Sequence, residues 1–158
     1  MNTFLAYIWR LIVILIGFAA ATLAAALAYI LAMQGNMAPD ATMTAFERTI
    51  DFALAALIVA SFGGALIVVP VLILAILAET FSWRGLLLHA SFGALLGASV
   101  MLLFSRNIES VDMWSITVAA TAGIIGASIY WLIAGRNAGK LFERVAAERR
   151  ALNDQKLS

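Results

Sequence analysis

The sequence contains no cysteine, one histidine and two prolines, and charged residues make up only 12% of its 158 positions. Without cysteine the chain has no disulfide, thiol nucleophile or thiolate metal site, and its redox compartment stays undetermined. Soluble domains carry about 25% charged residues. A chain so poor in charge cannot hide a large apolar surface from water, which argues against an ordinary soluble domain and against enzymatic machinery outside a membrane.

Apolar residues make up 64% of the sequence. Several uninterrupted apolar runs reach about 20 residues, the length that an α-helix needs to cross a bilayer. We therefore predict an all-α, polytopic membrane protein with four transmembrane helices in an antiparallel bundle. The predicted transmembrane domain covers residues 1–135, and a basic amphipathic tail follows over residues 136–158. The predicted spans are residues 5–33, 46–79, 83–104 and 113–135.

Polar residues mark where the later helices should begin. Thr44 and Glu47 have the spacing of a capping box, in which each side chain satisfies a backbone N–H freed at the helix start. The second helix should therefore begin near Ala45. Ser82 and Asp112 are predicted N-caps of the third and fourth helices.

The basic residues predict the orientation of the bundle. With these spans, most of the ten Lys and Arg residues fall on the side of the tail. They are Arg10, Arg84, Arg136, Lys140, Arg144, Arg149, Arg150 and Lys156. Only Arg48 and Arg106 fall on the other side. In membrane proteins the cytoplasmic loops carry more Lys and Arg than the loops on the opposite side. The three Tyr and four Trp residues all lie near predicted helix ends, where amphipathic rings prefer to sit. We predict a bacterial cytoplasmic (inner) membrane protein with both termini in the cytoplasm.

The first segment has a competing interpretation as a secretory signal peptide. Arg10 would precede its apolar core, and residues 26–28 would supply a small-x-small cleavage site. The apolar run continues past that site through residues 29–31, so we favour a retained span. Its alanines form either a smooth packing strip or part of a lipid-facing surface.

Small residues predict the helix contacts. Gly93 and Gly97 give the GxxxG spacing that lets two helix backbones approach closely, and Gly123 and Gly126 lie in the fourth span. The fourth span also carries Thr121 among other hydroxyl residues. We predict that this small, weakly polar side of the fourth span faces the bundle interior.

The second span is longer than a bilayer requires, so it should tilt, project into water or break. Gly63 and Gly64 lower the cost of distortion, and Pro70 cannot donate to the carbonyl of Leu66. These three residues predict a bend, and the sequence leaves open whether the helix is broken there.

No ionisable residue falls near the centre of a predicted span, and His89 comes closest. We interpret His89 first as an interfacial or interhelical hydrogen-bonding residue, with a proton-relay or ligand role as the alternative. Glu79 lies across a short hairpin and is its best candidate partner. Together with Thr121 they form the candidate polar site. A single His without a neighbouring second ligand does not predict a metal site.

The tail carries basic residues between apolar ones at helical spacing. It could lie on the membrane, continue the fourth span or dock on a partner. The first alternative is favoured because a basic residue beside anionic headgroups gains about 1 kcal/mol. The predicted headgroup or partner contacts are Arg136, Lys140, Arg144, Arg149 and Arg150. Residues 135–139 could form a headgroup-binding turn, although glycines with an arginine are typical of a plain helix exit.

No catalytic, cofactor-binding or metal motif is found: HExxH, GxSxG and a phosphate-cradling glycine loop are all missing. The net charge of +1, with its positive residues at membrane boundaries, predicts no nucleic-acid partner. We therefore predict a small, non-enzymatic accessory, scaffold or interaction protein. Its partners would be the lipid bilayer and a membrane protein or further copies of itself. The alternative is an oligomeric small transporter or channel.

Overall fold

A computed structural model of the chain describes residues 3–34, 43–104 and 112–157. These residues form α-helices and a short 3-10 turn, and no strand occurs among them. The helices are α1 (Thr3–Gln34), α2 (Ala45–Phe81), α3 (Leu86–Phe104), α4 (Met113–Ile133) and α5 (Lys140–Leu157), with the 3-10 turn at Gly135–Asn137. Helices α1 to α4 are long and apolar enough to cross a membrane. The predicted all-α bundle of four antiparallel transmembrane helices is confirmed.

Two of the predicted helix starts are confirmed by their capping bonds. The Glu47 N–H donates to Thr44 Oγ1 (3.2 Å), and the Thr44 N–H donates to Glu47 Oε2 (2.8 Å), which completes the capping box before Ala45. At the start of α4, Asp112 Oδ2 accepts from the Ser115 N–H at 3.2 Å. Local side-chain chemistry therefore sets both starts.

Ser82 does not cap α3 as predicted, because it closes α2 instead. Its backbone is left-handed (φ 54°, ψ 40°), and its N–H donates to the carbonyl of Ala78. α3 begins only at Leu86. The hairpin is so short that the chain must reverse immediately after α2, and a left-handed residue at the helix end provides that reversal.

Helix α2 is continuous through Gly63, Gly64 and Pro70. Its 37 residues extend over about 55 Å at 1.5 Å per residue, well beyond a hydrocarbon core of about 30 Å. The helix therefore accommodates its excess length without breaking at the two glycines or at the proline.

Helix α4 is the centre of the bundle. It packs extensively on α3 and on α1, and α1 packs on α2, whereas α2 and α3 touch very little. Small side chains dominate the buried surface, as expected where helices approach closely in a membrane. The buried alanines are Ala21, Ala26, Ala56, Ala75, Ala78, Ala119, Ala122, Ala134 and Ala138.

Glycines bring α3 and α4 into backbone contact. A Cβ added at Gly93 would collide with the carbonyl oxygen of Gly123, and a Cβ at Gly123 would collide with that of Gly93. A Cβ at Gly97 would likewise collide with the backbone of α4. Gly126 faces α1, where a Cβ would lie 2.8 Å from the carbonyl oxygen of Ala21. The four glycines thus lie at contacts that no larger residue would permit.

Thr121 does not face the bundle interior, which corrects our prediction for the hydroxyl residues of α4. Thr121 and Thr117 are exposed, and the Thr121 hydroxyl donates to the carbonyl of Thr117 at 2.8 Å. A hydroxyl bonded to its own helix needs no further partner, so it can face lipid at little cost. The buried residues of α4 are Val118, Ala119, Ala122, Gly126 and Tyr130.

Candidate functional site

Charged residues gather at one end of the bundle, where α1 and α3 begin and where α2 and α4 end. We call this the basal end. Arg10 of α1 donates from Nε to Glu79 Oε1 of α2 at 2.6 Å, and Arg10 Nη2 pairs with the same oxygen. Both side chains are largely buried, with exposed fractions of 16% and 11%. The pair joins α1 to α2 in an environment that favours charge-assisted hydrogen bonds.

The exit of α4 makes two further hydrogen bonds to this ion pair. Arg10 Nη2 donates to the carbonyl of Ala134 at 2.8 Å, and the Gly139 N–H donates to Glu79 Oε2 at 2.8 Å. We call Arg10, Glu79, Ala134 and Gly139 the basal clamp. Burying two charges costs desolvation energy, which is offset only when good geometry and further hydrogen bonds accompany the pair. The basal clamp meets that condition and ties α1, α2 and the start of α5 together.

Arg84 makes a second set of contacts between the α2–α3 hairpin and the tail. Its Nε donates to the carbonyl of Ala138 at 2.8 Å, and its Nη2 donates to Glu143 Oε1 at 2.7 Å. The Trp131 Nε1–H donates to the carbonyl of Arg84 at 2.7 Å. The hydrogen bond from Arg84 holds the pKa of Glu143 below its usual range. Because 37% of the Arg84 side chain and 56% of the Glu143 side chain are accessible to solvent, their ion pair is worth little alone, and its geometry matters more than its strength.

Gly139 is the residue at which the chain turns into α5. Its φ of +76° is unfavourable for any residue with a side chain, and a Cβ there would collide with Ser82. Glycine therefore allows the tail to approach the end of α2 closely enough for the Gly139–Glu79 hydrogen bond.

His89 is almost wholly buried, with 1% of its surface exposed. Its Nδ1 lies 2.9 Å from the carbonyl oxygen of Gly85, the residue just before α3. A carbonyl can only accept, so Nδ1 carries the proton and, in the neutral ring, Nε2 has only a lone pair. Nε2 has no hydrogen-bond partner in the described part of the chain, and it faces Gly135. The ring also stacks on Tyr130, with centroids 6.0 Å apart.

These contacts differ from the predicted polar site. His89 makes a hydrogen bond to the residue just before its own helix rather than to another helix, and Glu79 bonds to Arg10 and Gly139 rather than to His89. Thr121 lies on the exposed side of α4. His89, Glu79 and Thr121 therefore do not form one site.

Of the predicted tail contacts, Arg136, Lys140 and Arg150 are exposed, and Lys140 Nζ donates to Asn137 Oδ1 at 2.7 Å. Arg144 and Arg149 belong to α5. Their contact with headgroups or a partner stays a prediction. Arg106, one of the two basic residues predicted for the opposite side, lies outside the described residues.

Sequence reasoning missed Arg10, Arg84 and Glu143 as interacting residues. In the sequence analysis Arg84 is only a marker of orientation, and Arg10 is such a marker or the charged residue of a signal peptide. A usable signal was present, because the predicted spans place Arg10 and Glu79 at the same end of neighbouring helices, where opposite charges attract.

No three His, Asp or Glu side chains come together as a metal site within the described ranges. Comparison of the chain with models of protein families, with curated proteins and with solved structures finds no match in any of the three.

Proposed function

We propose that this multi-pass membrane protein is a non-enzymatic interaction component of a bacterial cytoplasmic membrane, with both termini in the cytoplasm. The observation that carries the proposal is the attachment of α5. Three hydrogen bonds hold its start: Gly139 to Glu79, Arg84 to Ala138 and Arg84 to Glu143. A tail that only set the membrane orientation would not require such a fixed geometry, whereas a tail that presents a surface to a partner would.

The charge of α5 indicates the kind of partner. Its sequence holds five basic residues (Lys140, Arg144, Arg149, Arg150, Lys156) and three acidic ones (Glu143, Glu148, Asp154), a net charge of +2 by 5 − 3. A basic helix next to the membrane favours a protein with an acidic surface at the same depth. The excess of Lys and Arg at the basal end also supports a cytoplasmic location for this end.

Purification from native membranes tests the proposal. We expect the combined change Arg144→Glu, Arg149→Glu and Arg150→Glu to remove at least one co-purifying protein from the full-length chain. Arg48→Glu reverses a charge at the opposite end and is the matched control, which should recover every partner. An unchanged set of partners in the triple variant would contradict a role for α5 in binding.

An oligomeric small transporter is the second candidate, favoured by an apolar cavity of about 480 Å³ between the four spans. Such a cavity suits an apolar cargo rather than an ion. Thr121 is exposed and does not line this cavity. The test is the rate at which a fluorescent lipid crosses the bilayer of reconstituted vesicles. Equal rates with and without the protein would eliminate this candidate.

A further inference from the structure

The cavity between the spans is elongated. It is lined by all four transmembrane helices and follows α1 from Phe18 to Tyr29. Those 11 steps correspond to about 16 Å at 1.5 Å per residue. The volume of about 480 Å³ lies within the range of roughly 300–1,000 Å³ that is typical of ligand sites.

The cavity opens toward lipid on one side. Of the four neighbouring helix pairs around it, α1–α2, α1–α4 and α3–α4 are packed together, whereas α2 and α3 hardly touch. The gap between α2 and α3 lies along the spans, where the surrounding medium is the hydrocarbon of the bilayer. Lipid chains therefore surround the opening of the cavity between α2 and α3.

The lining offers little to a polar ligand or to water. It is almost entirely aliphatic and aromatic, and the Thr22 hydroxyl already donates to the carbonyl of Ala19 at 3.0 Å. His89 bonds through Nδ1 to Gly85, and its Nε2 faces Gly135. A bound water needs about two to four polar partners. The lining therefore offers water few of the partners that it needs.

We propose that the cavity binds one hydrocarbon chain of a bilayer lipid, which enters sideways between α2 and α3. Lipid chains already surround the gap between α2 and α3, so one of them can enter the cavity without a further protein partner. The headgroup of the lipid stays outside the cavity. The site therefore binds the hydrocarbon chain of the lipid and does not select among headgroups. This proposal is independent of any partner of α5.

Gly63 is a position at which a larger side chain can fill the cavity without disturbing the fold. It lines the cavity, and a Cβ added there would meet no atom within 4 Å. The adjacent Gly64 packs on α1, where a Cβ would lie 3.3 Å from Thr22 Cγ2. Ala65 is exposed and does not line the cavity, so it offers a control position at the same depth of α2.

Photolabelling in vesicles tests the proposal. The full-length protein is reconstituted in phosphatidylcholine that contains a trace of phosphatidylcholine with a diazirine on one acyl chain, and adducts are mapped by mass spectrometry. We expect adducts on the cavity residues Phe92 and Leu96. Gly63→Leu should reduce them about tenfold, equivalent to about 1.4 kcal/mol in occupancy, while Ala65→Leu should leave them unchanged. Adducts on the exposed Leu72 report labelling from bulk lipid and should persist in every variant.

A second cavity-filling variant and a second lipid headgroup extend the experiment. Ala60→Phe fills the cavity from another position and should act like Gly63→Leu even if one of the two variants folds poorly. A diazirine phosphatidylglycerol should label Phe92 and Leu96 to the same extent as the phosphatidylcholine. Cavity adducts that persist in both filled variants, or labelling that depends strongly on the headgroup, would overturn the proposal. So would crosslinks from these residues to a second copy of the chain in place of lipid adducts.

Discussion

Helices α2 and α3 both carry glycines in mid-span, but the two helices use them differently. Gly93 and Gly97 of α3 meet the backbone of α4, which contributes Gly123 from its own side. In α2, Gly64 packs on α1, whereas Gly63 faces open space in the cavity. The difference teaches that close packing depends on small residues facing each other across the contact, and the number of glycines in a helix does not decide it.

The two regions are therefore held together by different forces. The α3–α4 contact depends on steric fit along the spans, where helix backbones touch. Helix α2 is held by its packing on α1 and, at the basal end, by the clamp of Arg10 and Glu79. Substitutions that affect one region should leave the other intact.

The largest effect is expected from Gly97→Ile. A side chain at this position collides with the carbonyl oxygen of Ala119, which belongs to the backbone and cannot move aside as a rotamer can. We expect a loss of about 3 kcal/mol or more in the free energy of unfolding, measured in bicelles. The control is Gly63→Ile in open space, with a change of about 0.5 kcal/mol or less. Equal losses in the two variants would remove the contrast between the two regions.

A smaller effect is expected from Glu79→Gln, which leaves the largely buried Arg10 without its counter-charge. We expect a loss of about 2–3 kcal/mol, because an unpaired buried charge keeps its desolvation cost. A double-mutant cycle with Arg10→Gln should give a clear coupling energy in the same unfolding measurement. Glu47→Gln is the matched control, since Gln also completes a capping box. A coupling energy near zero would show that the clamp does not stabilise α2.

The smallest effect is expected on the attachment of α5 when the pH is lowered. Because Arg84 lowers the pKa of Glu143 below the ordinary value of 4.5, the carboxylate stabilises the attachment of α5 at pH values above 4.5. This contribution is lost as the pH falls through the lowered pKa. A ¹³C titration of the Glu143 carboxyl should give a midpoint below 4.5, and Arg84→Gln should raise it. Identical midpoints in the two proteins would contradict the contact.

Much of the fold could be predicted from local sequence. The apolar runs define the four spans, and Thr44, Glu47 and Asp112 cap helices through bonds to residues three positions away. Such bonds depend on spacing along the chain, which the sequence shows directly. The prediction for Ser82 was wrong because the same residue type can end one helix or begin the next, and the reversal of the hairpin decides between them.

The candidate site could be predicted only in part. The sequence places Arg10, Glu79 and Arg84 at the same end of the bundle, but their partners are set by how the helices rotate about their axes. The same rotation places Thr121 outside the interior, and a hydroxyl that bonds its own helix exerts little force on that rotation. The cavity was not predictable, because it results from the separation of two helices that short-range patterns do not constrain.

The packing of α2 on α1 and its separation from α3 are tested most directly by two cysteine pairs, since the chain has no cysteine of its own. A Cβ at Gly64 lies 3.7 Å from the Cβ of Thr22, inside the range of about 3.5–4.5 Å for a disulfide. We predict rapid oxidation of Thr22→Cys with Gly64→Cys in vesicles. Gly63→Cys with Leu96→Cys, which line the cavity from α2 and α3, should stay reduced, because a Cβ at Gly63 meets no atom within 4 Å. Oxidation of the second pair as fast as the first would contradict the separation of α2 from α3.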